Sequence, residues 1–143
     1  MFDSYETSLK NFNYIKMSET DEKKLLEKFQ KNIVRFFDEL IEMFPDEKDF
    51  IFIRILVKDQ IPSTQIMSYF EMVMMNKEII TSIERRDDTF ILSNVLFSKI
   101  SKSDVFKKLW QTRLDNDDKE MIWNWVDSFK TMTTQYMKIN NRL

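Results

Sequence analysis

The sequence predicts an all-α protein, a single compact bundle of six to eight helices over residues 1–143. Apolar residues recur at steps of three and four along most of the chain, which is the spacing of one helix face. Capping residues and proline separate these apolar stretches from one another. Only one stretch could form a strand, and an unpaired strand would leave its backbone groups without hydrogen bonds. A chain of this length can bury a core without disulfides.

The first long helix is predicted to begin at Ser18 or Thr20 and to end at Pro45. Acidic residues follow the start, where the helix dipole favours negative charge, and proline cannot continue a helix. Residues 1–17 carry scattered aromatics without a clear period, so we interpret them as an N-terminal arm, whether flexible or laid against the body. The apolar face of the helix comprises Leu25, Leu26, Phe29, Ile33, Phe36, Phe37, Leu40 and Phe44.

Residues 50–57 form an almost continuous apolar run. Its β-branched residues also suit a buried strand. We predict a buried helix instead, because no convincing second strand exists to pair with this segment. A turn should follow at Gln60–Pro62.

The rest of the chain predicts five more helices, of which the last is the longest. The clearest start is Asp115–Asp118, which places acids at the positive end of the helix dipole. A short frayed tail is expected over Asn140–Leu143. The apolar stretches of these helices are, in order, Ile66–Met74, Ile79–Ile83, Phe90–Leu96, Val105–Trp110 and Met121–Tyr136. Ser63 is predicted to cap the first of them, a break near Asn76 precedes the second, and Ser101 or Ser103 is predicted to cap the fourth.

The residue inventory excludes several kinds of catalytic and metal site. The chain has no cysteine, glycine or histidine. Thiolate and histidine metal sites, serine triads and glycine-rich phosphate loops therefore cannot form. The acidic run Asp115–Glu120 fails as a calcium loop, because Lys119 and the missing glycine break the ligand pattern. We predict a protein that is not an enzyme, with no catalytic residue, cofactor or metal, although paired-carboxylate hydrolysis is allowed by residue type if a cleft exists.

Charge and hydropathy limit the partners. The net charge is −2, and basic and acidic residues are mixed, which gives no long-range field to attract nucleic acid. A basic stripe on the first helix, made of Lys24, Lys28, Lys31 and Arg35, could follow a phosphate backbone. It lies almost opposite the apolar face, which favours solvated charge, so nucleic acid is an allowed but disfavoured partner. No apolar span matches a membrane helix and no targeting segment is recognised, so we expect a cytoplasmic location and no membrane partner.

Methionine and tryptophan provide the candidate residues for binding a protein. Met72 and Met75 belong to a methionine-rich stretch, and methionine repacks readily against irregular partners, although filling gaps in the core is the favoured alternative. Trp123 falls away from the apolar face of its own helix. It must either meet a second element in the core or face solvent, where tryptophan commonly anchors an interface.

A pattern of aromatic residues resembles a known group of proteins. The first long helix ends with Phe36, Phe37, Leu40, Phe44 and Pro45, and Ile122, Trp123 and Trp125 follow late in the chain. This pattern resembles the short, uncharacterised helical proteins that nucleocytoplasmic large DNA viruses, the giant viruses, encode in many copies. The resemblance implies an all-helical fold and a viral origin, and it brings no activity or binding residue with it.

We therefore predict a non-catalytic protein–protein interaction or structural protein, either a virion component or an adaptor in infected cytoplasm, with a viral or host protein partner. This function requires a large exposed apolar patch. Two alternatives are a helical mimic that holds a host amphipathic helix in a groove, as apoptosis regulators do, and an accessory nucleic-acid binder that uses the basic stripe. The oligomeric state is left open.

Overall fold

Six α-helices and one π-helical turn account for most of the chain that the structure describes. The computed structural model describes residues 2–88 and 105–142, with the side chains of residues 20–88 and 107–142. The helices are α1 (Phe2–Met43), α2 (Lys48–Ile55), the π-helix Leu56–Gln60, α3 (Ser63–Met74), α4 (Lys77–Glu84), α5 (Val105–Thr112) and α6 (Asn116–Ile139). These ranges contain no strand, which confirms the all-α prediction. The helix predicted at Phe90–Leu96 and the cap at Ser101 or Ser103 lie outside the described residues.

Helix α1 is much longer than the sequence pattern predicts. It begins at Phe2 and runs for 42 residues, so the start predicted at Ser18 or Thr20 is wrong. Residues 2–17 are helical and form its first turns, and neither proline nor glycine interrupts the backbone before Pro45. The interpretation of this segment as an N-terminal arm remains a prediction. The predicted end is confirmed, since α1 finishes at Met43, two residues before this proline.

A cluster of phenylalanine rings joins α1, α3 and α6 at the centre of the fold. The ring of Phe129 on α6 lies 6.1 Å from Phe29 and 5.7 Å from Phe36, both on α1, and 5.6 Å from Phe70 on α3. All three pairs are edge-to-face, the arrangement that aromatic quadrupoles favour. The first and the last helix are therefore packed directly against each other.

Helix α2 packs against α1 through one face only. Phe50, Ile53 and Val57, spaced three and four residues apart, are buried against the core. The helix predicted for residues 50–57 is confirmed, and its last two residues already belong to the π-helix. The prediction that the whole segment is buried is wrong, because Ile51, Phe52 and Ile55 lie on the side of the helix away from α1 and are exposed.

The π-helix ends in a bend at Ile61 before Pro62, close to the predicted turn. Proline has no N–H, so it cannot donate to a carbonyl of the preceding turn. The side-chain amide of Gln30 on α1 donates instead, with Nε2 3.2 Å from the carbonyl oxygens of both Val57 and Lys58. This contact fastens the end of the π-helix to α1.

Helices α3 and α4 begin in different ways. The backbone carbonyl of Pro62 accepts the first hydrogen bonds of α3, and no side chain caps this helix, so the predicted cap at Ser63 is wrong. The predicted break near Asn76 is confirmed. Its Oδ1 accepts hydrogen bonds from the N–H groups of Glu78 and Ile79, at 3.0 and 3.2 Å, and so caps α4.

Two helices end in a left-handed residue other than glycine. Arg86 after α4 has φ of 54° and Asn141 after α6 has φ of 55°. In both cases the following N–H reaches back to a carbonyl in the last turn, at 2.8 Å, which is a Schellman arrangement. Arg142 then pairs with Glu71 of α3, so the frayed tail predicted over Asn140–Leu143 is wrong as far as Arg142.

Candidate interaction surface

The outward side of α2 exposes three large apolar residues. Ile51, Phe52 and Ile55 are 41%, 57% and 47% exposed. Ile55 is four residues from Ile51 and three from Phe52, so the three side chains share one face of the helix. This face is opposite the buried residues of the same helix. We call this group the α2 outward face. Its side chains stand where a surface helix usually carries polar residues.

The α2 outward face has charged residues around it. The Arg54 guanidinium pairs with the carboxylate of Asp38 on α1, which fixes one flank of the helix. Lys48 and Asp59 are exposed at the two ends of the segment. The result is an apolar centre with a polar border, which is the composition of many protein interfaces.

Two of the chain's methionines form a second exposed apolar surface. Met72 and Met75, at the end of α3, are 54% and 73% exposed, so they are available to a partner as the sequence prediction requires. Met67 on the same helix is fully buried, which agrees with the core-filling alternative for other methionines. Partner binding by Met72 and Met75 remains a prediction.

Trp123 lies in the core, so its interpretation as an exposed anchor is wrong. It is 4% exposed, and its ring stands edge-on to that of Trp110 on α5 at 5.8 Å. The guanidinium of Arg86 lies 5.5 Å from the ring centre, and its Nη1 donates to the Trp123 carbonyl at 3.0 Å. Trp123 therefore meets a second element, which is the other alternative that the sequence left open.

An open groove of about 490 Å³ lies between α1 and the first half of α6. Glu39, Asp117 and Glu120 line it together with Trp125, whose indole N–H donates to Glu39 Oε2 at 2.8 Å. Within the described ranges, no three carboxylates converge in a way that could hold a metal ion. Met121 adds to the apolar part of this lining, and the apoptosis-regulator alternative remains a prediction.

The four residues of the basic stripe are exposed on α1. Lys24, Lys28, Lys31 and Arg35 follow one another along the helix, away from the residues it buries. Such an arrangement is compatible with solvated charge and with a phosphate contact alike. Nucleic-acid binding by the stripe therefore remains a prediction.

Among the helices that the structure describes, none combines the length and the apolar character needed to cross a membrane. Comparison of the chain with protein-family models, with curated proteins and with solved structures found no match. The resemblance to giant-virus proteins thus stays an expectation from the sequence.

Proposed function

We propose that this protein is a non-catalytic interaction protein that binds a protein partner through the α2 outward face. The observation that carries the proposal is the exposure of Ile51, Phe52 and Ile55 together on one side of one helix. Isolated apolar residues are common on protein surfaces, whereas a contiguous group rimmed by charge marks an interaction site.

The physical basis is the burial of apolar area by a preformed surface. Covering one exposed phenylalanine or isoleucine contributes roughly 1 kcal/mol or more, because apolar burial is worth about 25 cal/mol per Å². The helix is already ordered by its buried face and by the Arg54–Asp38 pair. Because the backbone of this helix is already ordered, binding does not have to fold it, which lowers the entropic cost of association.

The expected viral origin supplies the setting of the proposal. If the resemblance to giant-virus proteins holds, the partner is another viral protein in the virion or a host protein in infected cytoplasm. Met72 and Met75 offer a further apolar surface for a structural role in which one molecule contacts two neighbours.

The test is affinity purification of the tagged protein from cells that express it in its native setting, with nuclease treatment and mass spectrometry. With cross-linking before lysis, so that weak contacts are retained, we expect a protein that survives nuclease and is lost from the double variant Phe52→Ser, Ile55→Ser. The control variant Thr131→Ser, Gln135→Ser changes two exposed residues on α6 and should retain that protein. Partners that vanish with nuclease, or that both variants retain, would refute the proposal.

A further inference from the structure

The α2 outward face has opposite charges at its two ends. Lys48 stands at the first residue of α2 and Asp59 in the last part of the π-helix, four residues after Ile55. Both side chains are exposed, and neither forms an ion pair within the part of the chain that the structure describes. Along the helix they are at most roughly 16 Å apart, since the eleven residue steps between them rise by about 1.5 Å each in an α-helix.

These charges and the apolar residues between them are arranged about one centre. Counted in residues along the chain, Phe52 and Ile55 are equally distant from the midpoint between Ile53 and Arg54. Lys48 and Asp59 are also equally distant from this midpoint. A two-fold axis through this point, perpendicular to the helix, therefore exchanges the ends of both pairs. A second, antiparallel copy of the helix would place its Ile55 against Phe52 and its acidic end against Lys48.

We propose that the α2 outward face binds the same face of a second copy of this chain, in an antiparallel two-fold symmetric dimer. This inference rests on the proposed function and names its partner. Phe52 packs against the partner's Ile55, and Lys48 pairs with the partner's Asp59 at each end of the contact. Charge complementarity favours a second copy over an unrelated helix, because the required opposite charges are already present on the surface itself.

The dimer is a weak one. One helix from each chain supplies the contact, which is smaller than a standard interface, so we expect a dissociation constant of roughly 10 to 100 μM. Reversing one charge places like charges together at both ends of the dimer. The variants Lys48→Glu and Asp59→Lys should therefore each dimerise about tenfold more weakly than the unchanged chain.

The decisive experiment is analytical ultracentrifugation of the purified chain at 10 μM to 1 mM, for each charge variant alone and for their equimolar mixture. In the mixture, the Glu at position 48 of one chain meets the Lys at position 59 of the other, and the unchanged Asp59 meets the unchanged Lys48. Both end contacts are then attractive, so the mixture should recover the affinity that each variant lost. A parallel contact would behave differently, because it already places like charges together in the unchanged chain, so neither charge variant alone would weaken it.

Controls separate folding from association. The variant Phe52→Ser should abolish the dimer while its far-ultraviolet circular dichroism and thermal midpoint stay close to those of the unchanged chain. The variant Thr131→Ser, Gln135→Ser, at two exposed positions of α6, should leave the dimer intact. A chain that stays monomeric at 1 mM overturns the inference, and so does a dimer that responds to neither charge variant or whose mixture shows no recovery.

Failure of this inference is distinguishable from failure of the proposed function. If the chain is monomeric but the α2 double variant loses a different co-purifying protein, the face is an interaction surface for that protein and only the dimer is wrong. If the α2 variants change neither association nor co-purification, both proposals are wrong.

Discussion

Arg86 combines an unfavourable backbone with several favourable side-chain contacts. Its φ of 54° costs about 1 kcal/mol relative to glycine, because a Cβ crowds the left-handed conformation. Its guanidinium pairs with Asp127 at 2.9 Å, donates to the Trp123 carbonyl and lies over the Trp123 ring. These contacts fasten the end of α4 to α6 and offset the backbone cost.

Two substitutions at Arg86 separate these effects. Arg86→Ala loses the contacts and keeps the left-handed residue, so we expect it to lower the free energy of unfolding by about 2 kcal/mol. Arg86→Gly loses the same contacts but relieves the backbone, and should cost about 1 kcal/mol less than alanine. Urea denaturation measures both, with exposed Arg85→Ala as the control expected to be near neutral. Equal losses for alanine and glycine would contradict the backbone argument.

Tyr69 on α3 makes stability depend on alkaline pH. Burial raises the pKa of its hydroxyl from 10.0 to about 12, since the phenolate is poorly solvated there. The folded protein therefore keeps a proton that the unfolded chain releases near pH 10. This contribution to stability is complete below about pH 10 and is lost as the pH rises towards 12.

The variant Tyr69→Phe should show a smaller loss of stability between about pH 10 and 12. Urea denaturation at several pH values, on the variant and on the unchanged chain, measures the difference. Part of the slope will persist, because burial and a hydrogen bond to Glu22 also raise the pKa of Tyr136. An identical slope in the two proteins would show that Tyr69 keeps its ordinary pKa.

Among the helices, the π-helical end of α2 is the element that depends most clearly on a single distant side chain. Pro62 has no N–H to donate, and the side-chain amide of Gln30 donates to the carbonyls of Val57 and Lys58 instead. Gln30→Ala should lower the free energy of unfolding by about 1 kcal/mol, and Gln30→Glu by more, because a carboxylate would repel both carbonyl oxygens. Chemical denaturation tests this, with Gln135→Ala, an exposed glutamine on α6, as the matched control. An effect no larger than the control's would contradict it.

Helix ends could be predicted from the sequence where the residue that ends or caps the helix acts on backbone groups next to it in the chain. Pro45 ends α1, Asn76 caps α4, and Asp115 with Asp118 forms a capping box at the start of α6. The start of α1 was predicted wrongly, because acceptable capping residues at 18 and 20 do not stop a helix that nothing interrupts. The left-handed end at Arg86 carries no sequence signal, since no glycine marks it, whereas asparagine, the residue at 141, is one of the types that adopt this conformation at helix ends.

At the scale of the whole molecule, the sequence shows which faces are apolar but not which faces meet. Trp123 illustrates the difficulty, because its place in the core depends on Trp110 and Arg86, which come from two other parts of the chain. Phe52 shows the opposite error. A continuous apolar run suggests burial on every side, whereas α2 has the core on one side only.

The sequence therefore predicts that an exposed apolar surface exists, but it does not predict that this surface lies on α2. Met72 and Met75 are exposed, as an interaction role requires. The α2 outward face was hidden inside the segment expected to be most buried. Spacing does not separate the two sides, because Phe50, Ile53 and Val57 fit one helix face and Ile51, Phe52 and Ile55 fit another. The packing of α2 on α1 decides which side is buried.

The direct packing of α1 on α6 has a consequence for folding during synthesis on the ribosome. Tyr136 donates to Glu22, and the amide of Asn32 reaches the sulfur of Met132, across separations of 114 and 100 residues. The phenylalanine cluster lacks its central ring until Phe129 has left the exit tunnel. During most of its synthesis the nascent chain therefore presents an unfinished core, which is the kind of surface that chaperones bind.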